Sequence, residues 1–407
     1  MTISLPLIRN SERSDFKSCP KKWQWRWVDG LIPAMPKQDA RWFGTMWHLL
    51  WATVYTPPGK DGFERGVSSH DEIHALWDEL TKNAYTSVSG QPYFGDDDEM
   101  EFNDACVLGH LMIDGQLKEW NLDPGFEVLM PEQRFRLGIP YNERQRQQHI
   151  FDQDHYDNVP ELSKNIGILL GTYDMPIRDH TDPGTPKCKI LDWKTTNKRT
   201  NDKQLNKDDQ TGTYLMTGTI ALKSMGLIKK DESVEYMIFS FARKAKPPDE
   251  NRAVDAEGRF RNKPQKNHYI LAINNATKTN TVSEKDTINT MNRIATEMGL
   301  IVYGEISKNQ GSPLFWRDVI RRNRANRQNQ LSRIADEIEI MSLARDGDIP
   351  IIKAPGDHCN WCDFSDLCDI DEDGGDTETF IKDVFKYSDP YADHREGAVN
   401  SKESIKK

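Results

Sequence analysis

Two neighbouring stretches decide the reading of this chain. The first is Ile166-Gly167-Ile168-Leu169-Leu170-Gly171-Thr172-Tyr173-Asp174, and the second is Lys189-Ile190-Leu191-Asp192-Trp193-Lys194. Both are short apolar runs bounded by turn residues, as buried strands are. The Asp-Pro-Gly of residues 182–184 lies between them and predicts a hairpin-like turn. Each run carries an acidic residue at or near its end. In Asp192-x-Lys194 the side chains are two apart and so share one strand face. A carboxylate and an ammonium on an otherwise buried face are costly to desolvate unless they are paired or coordinated. A structural ion pair satisfies that demand, and so does a bound cation. Carboxylate oxygens suit Mg²⁺ or Mn²⁺. Such an ion lowers the pKa of a water and stabilises charge on a phosphate, and a neighbouring lysine neutralises charge that develops there.

The rest of the chain organises itself around these runs. Residues 11 to about 125 read as mainly helical, with six of the 11 tryptophans at Trp23, Trp25, Trp27, Trp42, Trp47 and Trp51. Core packing is the expected use of so many large rings, and base stacking is the alternative. Gly95-Asp96-Asp97-Asp98-Glu99 reads as a solvated acidic turn. Strand-like segments cover residues 128–139 and 234–242, and residues 268–274 (HYILAIN) read as an outer strand. Polar intervals at 141–163 and 244–266 read as loops, and helical spacing returns at 204–226 and 280–345. The predicted class is α/β. A core of residues 126–275 follows a helical region of residues 1–125. Residues 276–370 are helical and carry clustered cysteines, and 371–407 form a polar tail.

Composition bounds the function. The chain has 407 residues, 36% hydrophobic and 29% charged, with a formal net charge of −10. That balance argues against coating nucleic acid by charge alone, but it accommodates a local basic groove beside a carboxylate-rich site. No run approaches the roughly 18 apolar residues of a membrane span. The opening residues lack the apolar run of a signal peptide, so a cytoplasmic protein is expected. No G-x-x-x-x-G-K-[ST] occurs, so any motor such as a helicase, or a recombinase partner, would be a separate chain.

Further residues recur in a meaningful order. Phe43-Gly44-Thr45-Met46-Trp47-His48 places a histidine on a predicted helix. Gln210 and Tyr214 in Gln210-Thr211-Gly212-Thr213-Tyr214 are four apart and share a helical face. The series Gly-x-x-x-His, Glu, Gly-x-x-Asp, Asp-x-Lys, Gln-x-x-x-Tyr resembles the RecB-type branch of the PD-(D/E)XK nucleases. The resemblance implies a restriction-endonuclease-like core, a mixed sheet flanked by helices, acting on DNA with Mg²⁺ or Mn²⁺. It further implies that His48, Asp174, Asp192 and the backbone carbonyl of Trp193 are metal ligands. Glu132 would be the upstream acidic ligand, with Glu127 as a competitor. Lys194 would be the catalytic lysine, and Gln210 and Tyr214 would line the active site. An exonuclease working on single strands or free ends fits the resemblance best. The rivals are a non-catalytic DNA-binding component and a site-specific endonuclease.

Cys359-Asn360-Trp361-Cys362 and Cys368 form C-x2-C-x5-C, which lets three thiolates converge from one loop. Cys19 is the natural fourth ligand. Such a set holds either Zn²⁺ or an iron–sulfur cluster, and spacing does not separate them. The resemblance implies a [4Fe–4S] cluster on Cys19, Cys359, Cys362 and Cys368, because several RecB-type nucleases place one cysteine before the core and three after it. Cys106 and Cys188 read as ordinary thiols. Finally, Arg317, Arg321 and Arg324 share one face if their segment is helical, and could track phosphates. Arg243, Lys244 and Lys246 follow a strand and are candidates for the border of a DNA channel.

Overall fold

A computed structural model describes residues 5–34, 41–89, 96–148, 164–181, 186–197, 202–245, 253–257, 259–307 and 313–394. In chain order the strands are β1 (Leu7–Arg9), β2 (Leu31–Pro33), β3 (Phe126–Val128), β4 (Gln133–Pro140), β5 (Asn165–Tyr173), β6 (Met175–Asp179), β7 (Lys187–Thr196), β8 (Val234–Arg243), β9 (Phe315–Arg321) and β10 (Phe385–Tyr387). The helices are α1 (Asn10–Ser18), α2 (Pro20–Trp23), α3 (Arg41–Tyr55), α4 (His70–Ser89), α5 (Asp96–Trp120), α6 (Glu143–Gln148), α7 (Asp202–Leu205), α8 (Asp209–Ser224), α9 (Lys266–Thr277), α10 (Ile288–Glu297), α11 (Arg324–Asp346), α12 (Ser365–Glu372) and α13 (Thr377–Val384).

The central sheet has the order β3-β6-β7-β8-β9. β7 pairs antiparallel with β6, Met175 opposite Leu191, and parallel with β8, Asp192 opposite Phe239. A parallel step needs a crossover, and α8 supplies it. That helix starts cleanly because the Asp208 carboxylate accepts from the Thr211 N–H at 2.7 Å. Alternation along β7 divides the core in two. Cys188 and Ile190 pack with Leu215, Leu222, Ile334 and Ile338 on one face. Leu191 and Trp193 pack with Trp47, Trp51, Ile73, Trp77 and Ile113 on the other. Trp23, Trp25, Trp27, Trp47 and Trp51 are all buried. A second sheet, β1-β5-β4, joins Leu7 to Ile168 in parallel and Phe135 to Gly171 antiparallel.

The chain divides into two compact units, residues 1–244 with 315–407, and residues 245–314. The smaller unit has its own core of Tyr269, Ile273, Val282, Met291 and Ala295.

Several sequence expectations change. The two deciding runs do not pair with each other. β5 ends at Tyr173 in the second sheet, and β6, not read from the sequence, begins at Met175 and forms the hairpin with β7. Asp174 therefore sits at the joint between sheets. The Asp-Pro-Gly turn lies outside the described residues, as do Gly95, Lys246 and 149–163 of the expected loop. Asp96–Glu99 begin α5 instead of forming a turn. Residues 268–274 belong to α9, not to a strand, because Tyr269 and Ile273 bury at a spacing of four. The tail carries α13 and β10, and β10 pairs with β2 through Phe385 and Pro33.

The arginine face also dissolves. Arg317 and Arg321 lie on β9, and only Arg324 and those after it are helical. Arg317 donates to both Asp123 oxygens at 2.6 and 2.7 Å and lies over the Trp120 ring. Arg327 donates to the carbonyls of Val234 and Glu235. These guanidiniums hold the fold together.

Candidate active site

The joint at Asp174 gathers residues from four places in the chain. His48, on α3, faces it with Nδ1 3.1 Å from Asp174 Oδ2. Glu132, in the turn before β4, takes a positive φ of 49° and donates its N–H to the Asp174 carbonyl at 2.8 Å. A non-glycine residue in that region stores strain, which the surrounding bonds must offset. Ligand atoms of His48, Glu132 and Asp174 all lie within 4.8 Å of one another. The N–H of Trp193 donates to Asp174 Oδ2 at 3.1 Å, which ties this carboxylate to β7.

Asp192 and Lys194 project from β7 on the α8 side. Asp192 is fully buried and its Oδ2 lies 2.6 Å from Lys194 Nζ. α8 completes the set. Lys194 Nζ donates to Gln210 Oε1 at 3.3 Å, and Gln210 Nε2 donates to Tyr214 Oη at 3.1 Å and toward Asp192 Oδ1 at 3.5 Å. Tyr214 in turn donates to the Thr172 carbonyl at 2.6 Å. That carbonyl carries no motif and could not have been singled out from sequence. Glu127, the competitor of Glu132, pairs with Arg178 and His180 on the central sheet instead.

The electrostatics are those of a site short of positive charge. Burial, and then the Asp174 carboxylate, push Asp192 up to about 7. The same two causes push Glu132 up to about 7. Burial works to raise Asp174 as well, but His48 overcomes it and holds this carboxyl below its ordinary value. Burial works against the His48 imidazolium, and Asp174 overrides it, so His48 is raised to about 9. Lys194 is likewise raised, because Asp192 and Asp174 outweigh its burial. Three carboxylates crowded together cannot all ionise without added cationic charge. A divalent ion relieves that crowding, so the donor set fits one.

A cleft of about 570 Å³ opens beside Gln210 and Tyr214, with Arg9, Ser11, Arg26 and Gly171 on its walls. Of the basic residues at the end of β8 and just after it, Arg243 donates to the Asn197 carbonyl, and Lys244 lies over the Phe43 ring.

The cysteines form a second grouping. Cys362 and Cys368 flank the small core of Trp25, Leu31, Phe364 and Phe385. Cys359 precedes them on a short 3₁₀ turn whose carbonyl accepts from the Cys362 N–H at 3.2 Å. Burial raises the thiols of Cys362 and Cys368, and the neighbouring Cys19 pushes both in the same direction. Among the described residues the four thiols do not converge as tightly as the His48 group does. Cys188 is buried in the core, which pushes its thiol up to about 11.

A mixed sheet with helices on both faces, carrying an aspartate at a strand joint and Asp-x-Lys on the adjoining strand, defines a metal-dependent nuclease architecture. The family model described as the PD-(D/E)XK nuclease superfamily matches residues 11–369, and the chain belongs to that superfamily. A search of curated proteins finds no match. Among the described residues no helix is long and apolar enough to cross a membrane.

Proposed function

We propose that this chain is an Mg²⁺- or Mn²⁺-dependent deoxyribonuclease that hydrolyses phosphodiester bonds of DNA from free ends. The observation that carries the reading is the convergence of His48, Glu132 and Asp174 next to Asp192 and Lys194. His48, Glu132, Asp174, Asp192 and the Trp193 carbonyl are the groups that would hold the cation. When bound, it supplies a water of lowered pKa and positive charge against the phosphate. Lys194 holds its proton and presents an ammonium to the phosphate, where charge builds as water attacks. Gln210 fixes Lys194 and Asp192 relative to each other, and Tyr214 fixes Gln210. The cleft with Arg9 and Arg26 provides a path for the strand. Work from ends rests on the likeness to RecB-type nucleases, as does a place in recombination, repair or phage DNA processing alongside a separate helicase or recombinase.

The test is cleavage of end-labelled single- and double-stranded linear DNA, with closed circular duplex as control. Linear DNA is expected to be degraded in Mg²⁺ or Mn²⁺ and spared in EDTA. Fixed cuts in the closed circle would replace the exonuclease by a site-specific endonuclease.

The same reading assigns a [4Fe–4S] cluster to Cys19, Cys359, Cys362 and Cys368. Its support is the reach of Cys19 to Cys362 and Cys368. A cubane spaces its four thiolates more widely than a single Zn²⁺ does, which suits a loose grouping. Anaerobically purified protein is expected to be brown, absorbing broadly near roughly 400 nm, as iron bound by thiolates does. Cys362→Ala should bleach it and Cys106→Ala should not. Stoichiometric zinc without iron in the anaerobic protein would defeat the cluster while leaving the four-cysteine site.

A further inference from the structure

Helices α4 and α5, which carry none of the candidate active-site residues, face each other with a ladder of metal-capable side chains. α4 presents His70, His74 and Asp78 at spacings of four, and α5 presents His110 and Asp114 at the same spacing. One glycine makes their approach close. A Cβ on Gly109 would lie 2.3 Å from the Trp77 ring, so no larger residue fits between the helices there. The Trp77 indole donates to the Cys106 carbonyl at 3.1 Å and fixes the register.

The contacts run as a chain. Asp114 Oδ1 lies 2.8 Å from His70 Nε2 and 3.0 Å from His74 Nε2. His74 Nδ1 lies 2.6 Å from His110 Nδ1, and His110 Nε2 lies 2.9 Å from Asp78 Oδ1. His70, His74 and Asp114 each offer an atom within 4.8 Å of the others. We infer that His70, His74 and Asp114 form a binding site for a late first-row divalent cation, Zn²⁺ foremost, which staples α4 to α5. His110 and Asp78 act as its outer shell.

Proton counting accommodates a cation in this place. Between Asp114, His74, His110 and Asp78 there are three gaps, and each hydrogen bond needs one proton. Two neutral imidazoles carry two. With a cation on His74 Nε2, the His74 Nδ1–H donates to His110 Nδ1 and the His110 Nε2–H donates to Asp78. Both rings are then neutral and every gap is filled. This is the arrangement by which outer carboxylates orient metal-binding histidines. The geometry is within reach as well. Tetrahedral zinc with bonds of about 2.0–2.2 Å spaces its ligands about 3.3 Å apart, slightly wider than the contacts seen here. Two imidazoles with one carboxylate prefer Zn²⁺, Ni²⁺ or Co²⁺ to Mg²⁺. The site faces solvent, since the His70 and Asp114 side chains are 59% and 50% exposed, so an ion can enter and a water can complete its shell.

The experiment titrates the full-length chain with ZnCl₂ in excess Mg²⁺ against a chromophoric chelator, and records thermal unfolding with and without zinc. His74→Ala is compared with the unaltered protein, and Asp114→Asn serves as a second, nearly isosteric variant. Any zinc taken by cysteines or by His48 is common to all three and cancels. The unaltered protein is expected to bind one equivalent more than either variant and to gain a zinc-dependent rise in Tm that both lack. His110→Ala should keep that equivalent with about 10–100-fold weaker affinity. Cleavage of DNA in Mg²⁺ should be unchanged in His74→Ala. Equal zinc stoichiometry and equal Tm shifts across the proteins would overturn the inference.

Discussion

Lys194→Ala is expected to lower the cleavage rate by about 10²–10³-fold, the usual cost of removing one charge-stabilising group from a reaction centre. Asp192→Ala should lose at least as much, because it removes both a cation ligand and the partner that holds Lys194 2.6 Å away. Neither change should unfold the protein. The Lys194 side chain is one-third exposed, so its ammonium can turn to water when Asp192 is gone. DNA binding, followed by fluorescence anisotropy in EDTA, should survive in both, since the cleft walls are untouched. Undiminished cleavage by either purified variant would remove these residues from the chemistry.

The largest expected loss of stability comes from Arg13→Ala. Arg13 is fully buried on α1 and binds Glu337 at 2.5 Å, Asp209 at 2.9 Å, Asn10 at 2.9 Å and Thr213 at 3.1 Å. It thereby ties α1 to α8 and α11. Removing one partner of a buried ionic network leaves uncompensated charge and costs roughly 3–5 kcal/mol. Lys17, 2.6 Å from Asp209 and 3.2 Å from Glu337, should hold the loss to the lower end. The urea midpoint is expected to fall with the m-value unchanged. An unmoved midpoint would show that Lys17 suffices.

The same network sets an acid limit. Burial works to raise Asp209, but Arg13, Gln330 and Lys17 overcome it and hold the carboxyl at about 2, below its ordinary 3.8. A depressed carboxyl contributes stability that is complete above pH 3.8 and lost as pH falls toward 2. The contribution is roughly 2 kcal/mol. In Arg13→Ala this acid limb should shrink.

The chemistry-bearing residues were legible because strand and helix periodicity survive in the sequence. Asp192 and Lys194 two apart on a strand, and Gln210 and Tyr214 four apart on a helix, need no tertiary knowledge to share a face. What failed was connectivity. β6 is only five residues long and contains Pro176, which cannot donate to a ladder, so it did not read as a strand. Its absence made two strands of different sheets look like one hairpin. HYILAIN is rich in β-forming residues, yet its buried positions are Tyr269 and Ile273, four apart with Ile270 partly buried beside them, and a seven-residue window does not reveal which period wins. Arg317 and Arg321 show the converse error, a spacing of four that happens to fall on a strand. His70, His74, His110 and Asp114 had readable spacing, but their value depends on two helices meeting at Gly109, which spacing within either helix does not report.

The pairing of β2 with β10 has a consequence for synthesis. Buried Glu12 accepts from Tyr391, 379 residues further along, and Lys386 lies opposite Ile32. At about 5–20 residues per second, the opening segment waits roughly 20–75 seconds on the ribosome before its last partner exists. Throughout that interval β2 has an unpaired edge and Glu12 lacks one of its donors. The N-terminal segment therefore closes only after the distant residues of β10 and Tyr391 have been made, and a product truncated before them leaves it exposed to chaperones and proteases.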